Sequence, residues 1–338
     1  MEPLSKRDRS QVRGRSSARA RRRIAGLCAL LAGLACPAEA QTIDPYYAGS
    51  YSSLVLGSVP GVPVDYGGLC FKYDDPNTLL IAGAACGPSA TVYRIGVARD
   101  SNHHITGFAG SAEPYSEAPY IDGGLNFGPG NVLFAPQYFS SNLMETKVGS
   151  SQPDRIVGLG AGFTSGNPSG CAFVPSGFWN AGRLKISTYS YDGGFYDMEL
   201  SPDGHGTYDV VNLTRSATMT GFEEGFGYVP FGAPLFPNPS MLVCEVNNNA
   251  VWSWEVDQSG DPIAGTQHNF MTLPSAEGAI VDPLTGDFLF SSYNYPPHQV
   301  VRVSANAVPE PTPLAVLGIA ALLGLRRKTA PSRPTPAR

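Results

Sequence analysis

The chain has 338 residues, with 28 Asp and Glu against 23 Lys and Arg, and a formal net charge of −5. Residues 41 to 307 hold 24 of the acidic but only 9 of the basic side chains, a net charge of −15. A region this acidic argues against nucleic acid and anionic membrane surfaces as partners. The chain's 39 Gly and 30 Pro, without a long amphipathic helical period, favour an all-β fold rich in turns.

The first 40 residues have the layout of a secretory signal peptide. Nine Lys and Arg side chains precede an apolar run over residues 24–35, and Ala38 and Ala40 occupy the two positions that signal peptidase reads. We therefore predict cleavage before Gln41 and export across the inner membrane. A basic nucleic-acid-binding arm is the alternative, but such an arm would not be followed by an apolar run and a small-x-small site.

The central region repeats itself weakly at a period near fifty residues. Each unit opens with a glycine, has a large apolar residue at its fourth position, and continues through a turn into a second apolar run. The opening glycines are Gly68, Gly124, Gly170, Gly225 and Gly278. The second runs cover residues 79–81, 132–134, 184–186, 241–243 and 288–290. Alternating third runs, such as 92–97 and 251–256, and a fourth apolar segment follow in most units.

Four strands per unit at this period are typical of a β-propeller. We predict five four-stranded blades in one domain over residues 41–304. The fifth unit stops after its third strand, and a spare strand at residues 52–58 precedes the first unit. We therefore expect this strand to complete the last blade and remove its open edge. A β-sandwich or two small β-domains are the alternatives.

Four cysteines lie in the central region: Cys70, Cys86, Cys171 and Cys244. The other two fall within the predicted signal peptide. An even number in an exported chain indicates two disulfides. Proximity in sequence favours Cys70–Cys86, which leaves Cys171–Cys244. Buried free thiols are the alternative.

Acidic residues occupy the loops that enter the first strands of four predicted blades. In a propeller these loops lie at the mouth of the central channel, so we expect their carboxylates to converge there. The candidates are Asp65, Asp122, Glu223, Glu224 and Glu277. Converging carboxylates would suit a Ca²⁺-like ion, or two of them about 5 to 10 Å apart could act as acid and base on a glycosidic bond. The simpler alternative is that an acidic protein has acidic loops and needs no cofactor.

Other motifs are absent or ordinary. The sequence contains no Gly-x-Ser-x-Gly elbow and no Walker loop. Residues 282–287 lack the ligand spacing of an EF-hand, and they predict a hairpin turn between the first two strands of the last unit. Trp252 and Trp254 share one face of a predicted strand and are expected in the core. With Trp179 and the many tyrosines, they are also candidate platforms for sugar rings.

Residues 305–338 form a linker followed by a tail of three parts. These are the stiff motif Val308, Pro309, Glu310 and Pro311, the uncharged apolar run 314–325, and the basic stop Arg326, Arg327 and Lys328. This order, with a literal Pro-Glu-Pro, resembles the PEP-CTERM sorting signal of bacterial envelope proteins. The resemblance covers about the last tenth of the chain.

The resemblance implies that an exosortase, an integral-membrane transpeptidase-like protein, recognises and removes the tail. Signal peptidase and exosortase are then the implied partners, and the tail is a transient transmembrane anchor. The mature protein is expected at the surface or outside of an exopolysaccharide-producing Gram-negative bacterium. Two features depart from the usual pattern: the apolar run has 12 residues, fewer than the roughly 18 to 20 of a spanning helix, and ten residues follow Lys328. A buried C-terminal helix is the alternative.

Three functions are compatible with this organisation. The first hypothesis is a non-enzymatic propeller that binds a glycan or protein of the envelope or extracellular matrix. The second is an extracellular hydrolase that acts on a carbohydrate or lactone through the carboxylates at the channel mouth. The third is a purely structural component of the matrix.

Overall fold

The fold is a ring of five antiparallel β-sheets, each of which is one blade of a β-propeller. The computed structural model describes residues 41–294, 296 and 298–306. The innermost strands of neighbouring blades contact one another around the whole ring. The predicted all-β, five-bladed propeller is therefore confirmed.

Two strands at the start of the described chain, β1 (Thr42–Ile43) and β2 (Tyr51–Gly57), join blades four and five respectively. Blade one contains β3 (Leu69–Lys72), β4 (Asp75–Gly83), β5 (Thr91–Arg99) and β6 (Ile105–Glu117). Blade two contains β7 (Asn126–Phe127), β8 (Leu133–Gln137), β9 (Asn142–Thr146) and β10 (Arg155–Gly158). Blade three contains β11 (Asn167–Phe173), β12 (Leu184–Tyr189), β13 (Gly194–Pro202) and β14 (Tyr208–Thr218).

Blade four contains β15 (Glu223–Tyr228), β16 (Ser240–Glu245), β17 (Ala250–Glu255) and β18 (His268–Thr272). Blade five contains β19 (Ala276–Val281), β20 (Phe288–Ser292) and β21 (Val300–Ala305). Within residues 41–306 as described, three short 3-10 helices connect strands, at Pro129–Asn131, Gly160–Gly162 and Val246–Asn248. None of the helices in the described part of the chain is long and apolar enough to cross a membrane. The predicted signal peptide and sorting tail lie outside the described residues.

The ring is closed by pairing its first long strand with its last. Strand β2 pairs antiparallel with β21, with Tyr51 opposite Ala305. This is the closure that the spare strand at residues 52–58 predicts. Strand β1 adds a fifth strand to blade four through the pair Thr42 and Thr272, which the sequence does not predict because two residues show no period.

The hydrophobic core consists of five clusters, one in each contact between adjacent blades. In β4, Leu80 belongs to the cluster shared with blade two, whereas Leu79 and Ile81 belong to the cluster shared with blade five. Successive side chains of a strand point to opposite faces. The second apolar run of each unit is continuous because that strand is buried on both faces.

The five repeated glycines lie where the innermost strands approach the channel axis. At each of them, a Cβ atom would lie 2.8 Å or less from backbone of a neighbouring blade or of the loop that leads into it. At Gly170, for example, it would lie 2.1 Å from the Glu224 carbonyl oxygen. The repeat therefore requires glycine because backbone packs directly on backbone around the axis.

Candidate functional site

Three of the five predicted carboxylates meet at one mouth of the channel. Asp122, Glu224 and Glu277 line the same pocket, and they are only 2%, 2% and 1% exposed. Asp122 lies in the loop that leads to blade two, Glu224 is on β15, and Glu277 is on β19. The convergence follows from the glycine repeat, because each acid lies one or two residues before a glycine at the axis.

Two buried serines hold the strands that carry these acids. Ser187 accepts a hydrogen bond from the Gly170 amide at 3.0 Å and donates to the Glu224 carbonyl at 2.7 Å. Ser291 accepts from the Gly278 amide at 2.8 Å and donates to the Gly67 carbonyl at 2.7 Å. Each serine therefore links two neighbouring blades beside the axis, which fixes the backbone from which the acids project.

Cys86 joins the acids, although the sequence predicts it in a disulfide. Its thiol donates to Asp122 Oδ1 at 3.2 Å, and its amide donates to the Ile121 carbonyl at 2.8 Å. Cys86 has a positive φ of 59°, a conformation that is uncommon outside glycine. The Cys86 sulfur and carboxyl oxygens of Asp122 and Glu277 all lie within 4.8 Å of one another. No pattern in the sequence connects residue 86 with residues 122 and 277.

The acidic groups of this cluster hold their protons more tightly than usual. Burial raises the pKa of Asp122 to about 6. Burial, and then the negative charge of Asp122, raise the pKa of Glu224 and of Glu277 well above the ordinary range. The pKa of the Cys86 thiol is also raised, by burial and by the same carboxylates. No Lys, Arg or His is among the described residues that line the pocket, so no basic side chain offsets these effects.

The pocket has a volume of about 280 Å³. Its base is acidic, whereas its wall is formed mostly by uncharged polar and aromatic side chains. The wall contains three tyrosines, two asparagines, one serine and one valine: Tyr138, Tyr189, Tyr293, Asn247, Asn294, Ser275 and Val246. The rings of Tyr138 and Tyr189 meet edge to face at 6.0 Å. Among the described residues, Asp122 Oδ2 and Glu224 Oε2 have no hydrogen-bond partner. A buried polar atom is ordinarily paired, so these two oxygens are exceptions within the buried part of the pocket.

The other two predicted carboxylates do not line this pocket. Glu223 Oε1 accepts hydrogen bonds from the Gly221 amide at 2.5 Å and from Thr220 at 3.3 Å, and burial raises the Glu223 pKa to about 7. Asp65 is partly exposed, and its Oδ1 lies 3.8 Å from His298 Nδ1. Adjacent residues of a strand point to opposite faces, so the sequence alone does not tell Glu223 from Glu224.

The four central cysteines are free thiols, which corrects the prediction of two disulfides. Three of the thiols donate a hydrogen bond to a neighbouring blade or to a loop that leads into one. Cys171 donates to the Phe134 carbonyl of blade two and Cys244 to the Gly278 carbonyl of blade five, each at 3.6 Å, while Cys86 donates to Asp122. Their sulfurs are thus directed at different blade contacts rather than at one another. The alternative of free thiols describes the structure.

Two smaller predictions concern turns and aromatic side chains. Residues 282–287 form the expected hairpin turn, in which the Asp282 amide donates to the Asp287 carbonyl at 2.8 Å. Trp254 is buried in the core, as predicted, and Trp252 packs against the same cluster. Trp179 is 80% exposed and is not part of the mouth pocket.

Comparisons with known proteins yield a likeness of fold alone. No protein-family model matches the chain, and no curated protein matches it. A Trichoderma reesei protein of Carbohydrate-Active Enzymes Family AA12 matches with a TM-score of 0.48 and 9% identity, over 79% of this chain and 98% of that one.

Two further solved structures show a similar degree of likeness. A gluconolactonase of Xanthomonas campestris matches with a TM-score of 0.43 and 11% identity, over 78% of this chain and 93% of that one. The PQQ-bound aldose sugar dehydrogenase of Streptomyces coelicolor matches with a TM-score of 0.38 and 15% identity, over 74% and 84%. At these values, the activities of those proteins do not transfer to this chain.

Proposed function

We propose that the protein is an exported, five-bladed β-propeller that binds a neutral glycan of the envelope or extracellular matrix in its mouth pocket. The observation that carries this proposal is the pocket wall, in which three tyrosines and two asparagines surround buried carboxyls. Tyrosine rings give flat apolar faces with a hydroxyl at the tip, and amides both donate and accept hydrogen bonds. A sugar ring presents the complementary surface of C–H faces and hydroxyl edges.

Size and charge narrow the ligand class. A volume of about 280 Å³ lies at the lower end of ordinary ligand sites, so the pocket suits one sugar unit or the end of a chain. Asp122, Glu224 and Glu277 at the base, with 24 acidic against 9 basic residues in the region 41–307, disfavour phosphate or carboxylate ligands. A neutral polysaccharide fits these features better than an acidic one.

Export is supported by the predicted signal peptide and by the resemblance of the tail to a sorting signal. Its test is the intact mass and cellular location of the protein in its native host, with and without replacement of Pro309, Glu310 and Pro311 by alanine. We expect a species that begins at Gln41, ends near Val308 and lies outside the cell, and we expect the substituted protein to keep its tail. An uncleaved C-terminus in both forms would refute the sorting route.

The glycan proposal is tested with the mature protein on an array of neutral and acidic oligosaccharides, followed by calorimetry on the best binder. Tyr189→Ala removes part of the pocket wall and should weaken binding at least about tenfold, the effect of losing about 1.4 kcal/mol. Trp179→Ala removes an exposed aromatic outside the pocket and should leave the affinity unchanged. If no glycan binds saturably, or if only Trp179→Ala weakens binding, the pocket is not the glycan site.

One observation favours a second candidate, hydrolysis of a carbohydrate or lactone. A carboxyl with a pKa of about 6, as at Asp122, can give and accept protons near neutral pH. Against glycoside cleavage, carboxyl oxygens of Asp122 and Glu277 lie within 4.8 Å, closer than the roughly 5 to 10 Å between catalytic carboxyls. Turnover of chromogenic glycosides or lactones that Glu224→Gln abolishes, with folding intact, would establish the enzyme.

A further inference from the structure

The base of the mouth pocket has the composition of a metal site rather than of a simple acidic patch. It combines one thiol with carboxyls from separate parts of the ring: Cys86 follows β4, Asp122 precedes blade two, and Glu277 is on β19. Their candidate ligand atoms lie within 4.8 Å of one another. Three ligands from three distant segments are brought together only by the closed ring.

An independent observation points to a cation at this cluster. Asp122 Oδ2 and Glu224 Oε2 are buried without a hydrogen-bond partner among the described residues, and both side chains line the pocket. Unpaired buried carboxyl oxygens are costly. Converging carboxylates are stabilised at close range by a cation, and the described lining residues include no basic side chain that could supply the charge.

The backbone around the cluster is held in place. The Cys86 amide donates to the Ile121 carbonyl at 2.8 Å, and Cys86 keeps a positive φ of 59°. Strained residues persist where the surrounding structure determines them, and they concentrate at functional sites. Ser187 and Ser291 fix the strands of Glu224 and Glu277 as described above. The ligands are therefore positioned before any ion binds.

We infer that Cys86, Asp122 and Glu277 bind a divalent transition metal of the zinc class, with the Glu224 carboxyl beside it. The thiol decides the class of metal. Ca²⁺ takes six to eight oxygen ligands, whereas Zn²⁺ accepts thiolate and carboxylate together in four-coordinate sites. Three protein ligands leave one position for water or for an oxygen of the pocket's ligand. This assigns to the site a different ion from the Ca²⁺ that carboxylates alone indicate, and it does not depend on glycan binding.

The test uses the mature protein purified from its native host, treated with a chelator and dialysed. Calorimetric titration with ZnCl₂ should give one equivalent bound per chain, while CaCl₂ should neither bind at this site nor displace zinc. Cys86→Ser should weaken zinc binding by more than the roughly 10- to 100-fold that is lost when only a supporting group is removed. Cys171→Ser changes a buried thiol outside the site and should keep the wild-type affinity.

A measurement on the unaltered chain guards against a variant that fails to fold. Titration with CoCl₂ should produce thiolate-to-cobalt charge-transfer absorption, and one equivalent of ZnCl₂ should abolish it. Any of three results would overturn the inference. These are the absence of that absorption, a folded Cys86→Ser variant that binds zinc as tightly as the parent, and displacement of zinc by calcium.

Discussion

Arg99 of blade one and Asp282 of blade five form a two-point ion pair across the closing contact of the ring. Arg99 Nη1 and Nη2 donate to the two carboxyl oxygens of Asp282 at 2.5 and 3.2 Å. The side chains are only 8% and 0% exposed. Arg99 also donates to the Pro76 and His103 carbonyls, each at 2.6 Å. The guanidinium thus joins the start of β4 and the turn between β5 and β6 to the hairpin turn of blade five.

We expect Arg99→Met to destabilise the protein by about 3 to 5 kcal/mol, because it leaves the Asp282 carboxylate buried without its partner. The free energy of unfolding in urea measures this effect. Arg94→Met, which removes an exposed pair with Glu113, is the control and should cost no more than about 1 kcal/mol. The double variant Arg99→Met with Asp282→Asn should recover part of the loss. Equal losses of unfolding free energy in Arg94→Met and Arg99→Met would show that the Arg99–Asp282 pair stabilises the protein no more than a surface pair does.

The glycines at the axis predict a backbone collision on substitution. Gly170→Ala would place a methyl group 2.1 Å from the Glu224 carbonyl oxygen. Because backbone cannot move aside as a flexible side chain can, we expect the free energy of unfolding to fall by at least about 2 to 3 kcal/mol. Gly107→Ala on β6 meets nothing within 4 Å and should change stability by less than about 0.5 kcal/mol. Unfolding in urea compares the two, and similar stabilities would contradict the packed axis.

Tyr51, at the start of the closing strand β2, packs in the cluster between blades four and five. Its ring lies 5.5 Å from that of Phe270 and 6.1 Å from that of Phe288, and its hydroxyl donates to the Pro234 carbonyl at 2.8 Å. Tyr51→Ala should cost about 3 to 5 kcal/mol through the lost packing. Tyr51→Phe should cost only about 0.5 to 1.5 kcal/mol, the hydrogen bond alone. Thermal melting of both variants tests this order, and a Phe variant as unstable as the Ala variant would contradict it.

A buried carboxyl on β9 predicts a pH dependence of stability. Burial raises the pKa of Glu145 from 4.5 to about 7, against the opposing influence of the Tyr208 amide and Arg155. Between these two values the unfolded state loses its proton first, so this group makes the folded protein less stable as pH rises. We expect Glu145→Gln to remove this decrease in stability, because the Gln side chain cannot ionise. Its carbonyl can still accept the hydrogen bond from the Tyr208 amide.

The readout for Glu145 is the melting temperature of Glu145→Gln minus that of the parent, measured at about pH 5 and about pH 8. The difference should become more positive at the higher pH. Glu113→Gln, at an exposed position, is the control and should show no such change. A difference that is independent of pH would mean that Glu145 ionises equally easily in the folded and unfolded chain.

The sequence carries the information that is local to one blade. Period-two alternation and turns reveal strands such as β5 and β17 because each strand's own side chains must alternate between its two faces. The repeated glycines mark the axis, and the spare strand at residues 52–58 predicts how the ring closes. Strand β9 of blade two escapes detection because only Leu143 and Met144 are apolar in it.

Only the tertiary structure decides which side chains meet. Residues 86, 122, 224 and 277 come from separate parts of the chain, and the closed ring brings them to one mouth. The same ring directs the sulfurs of Cys86, Cys171 and Cys244 to carbonyl and carboxyl oxygens at different blade contacts. It also turns Glu224 into the channel and Glu223 away from it. Period-two alternation predicts on which face of a strand a side chain lies, whereas the packing of one blade on the next determines what that face contacts.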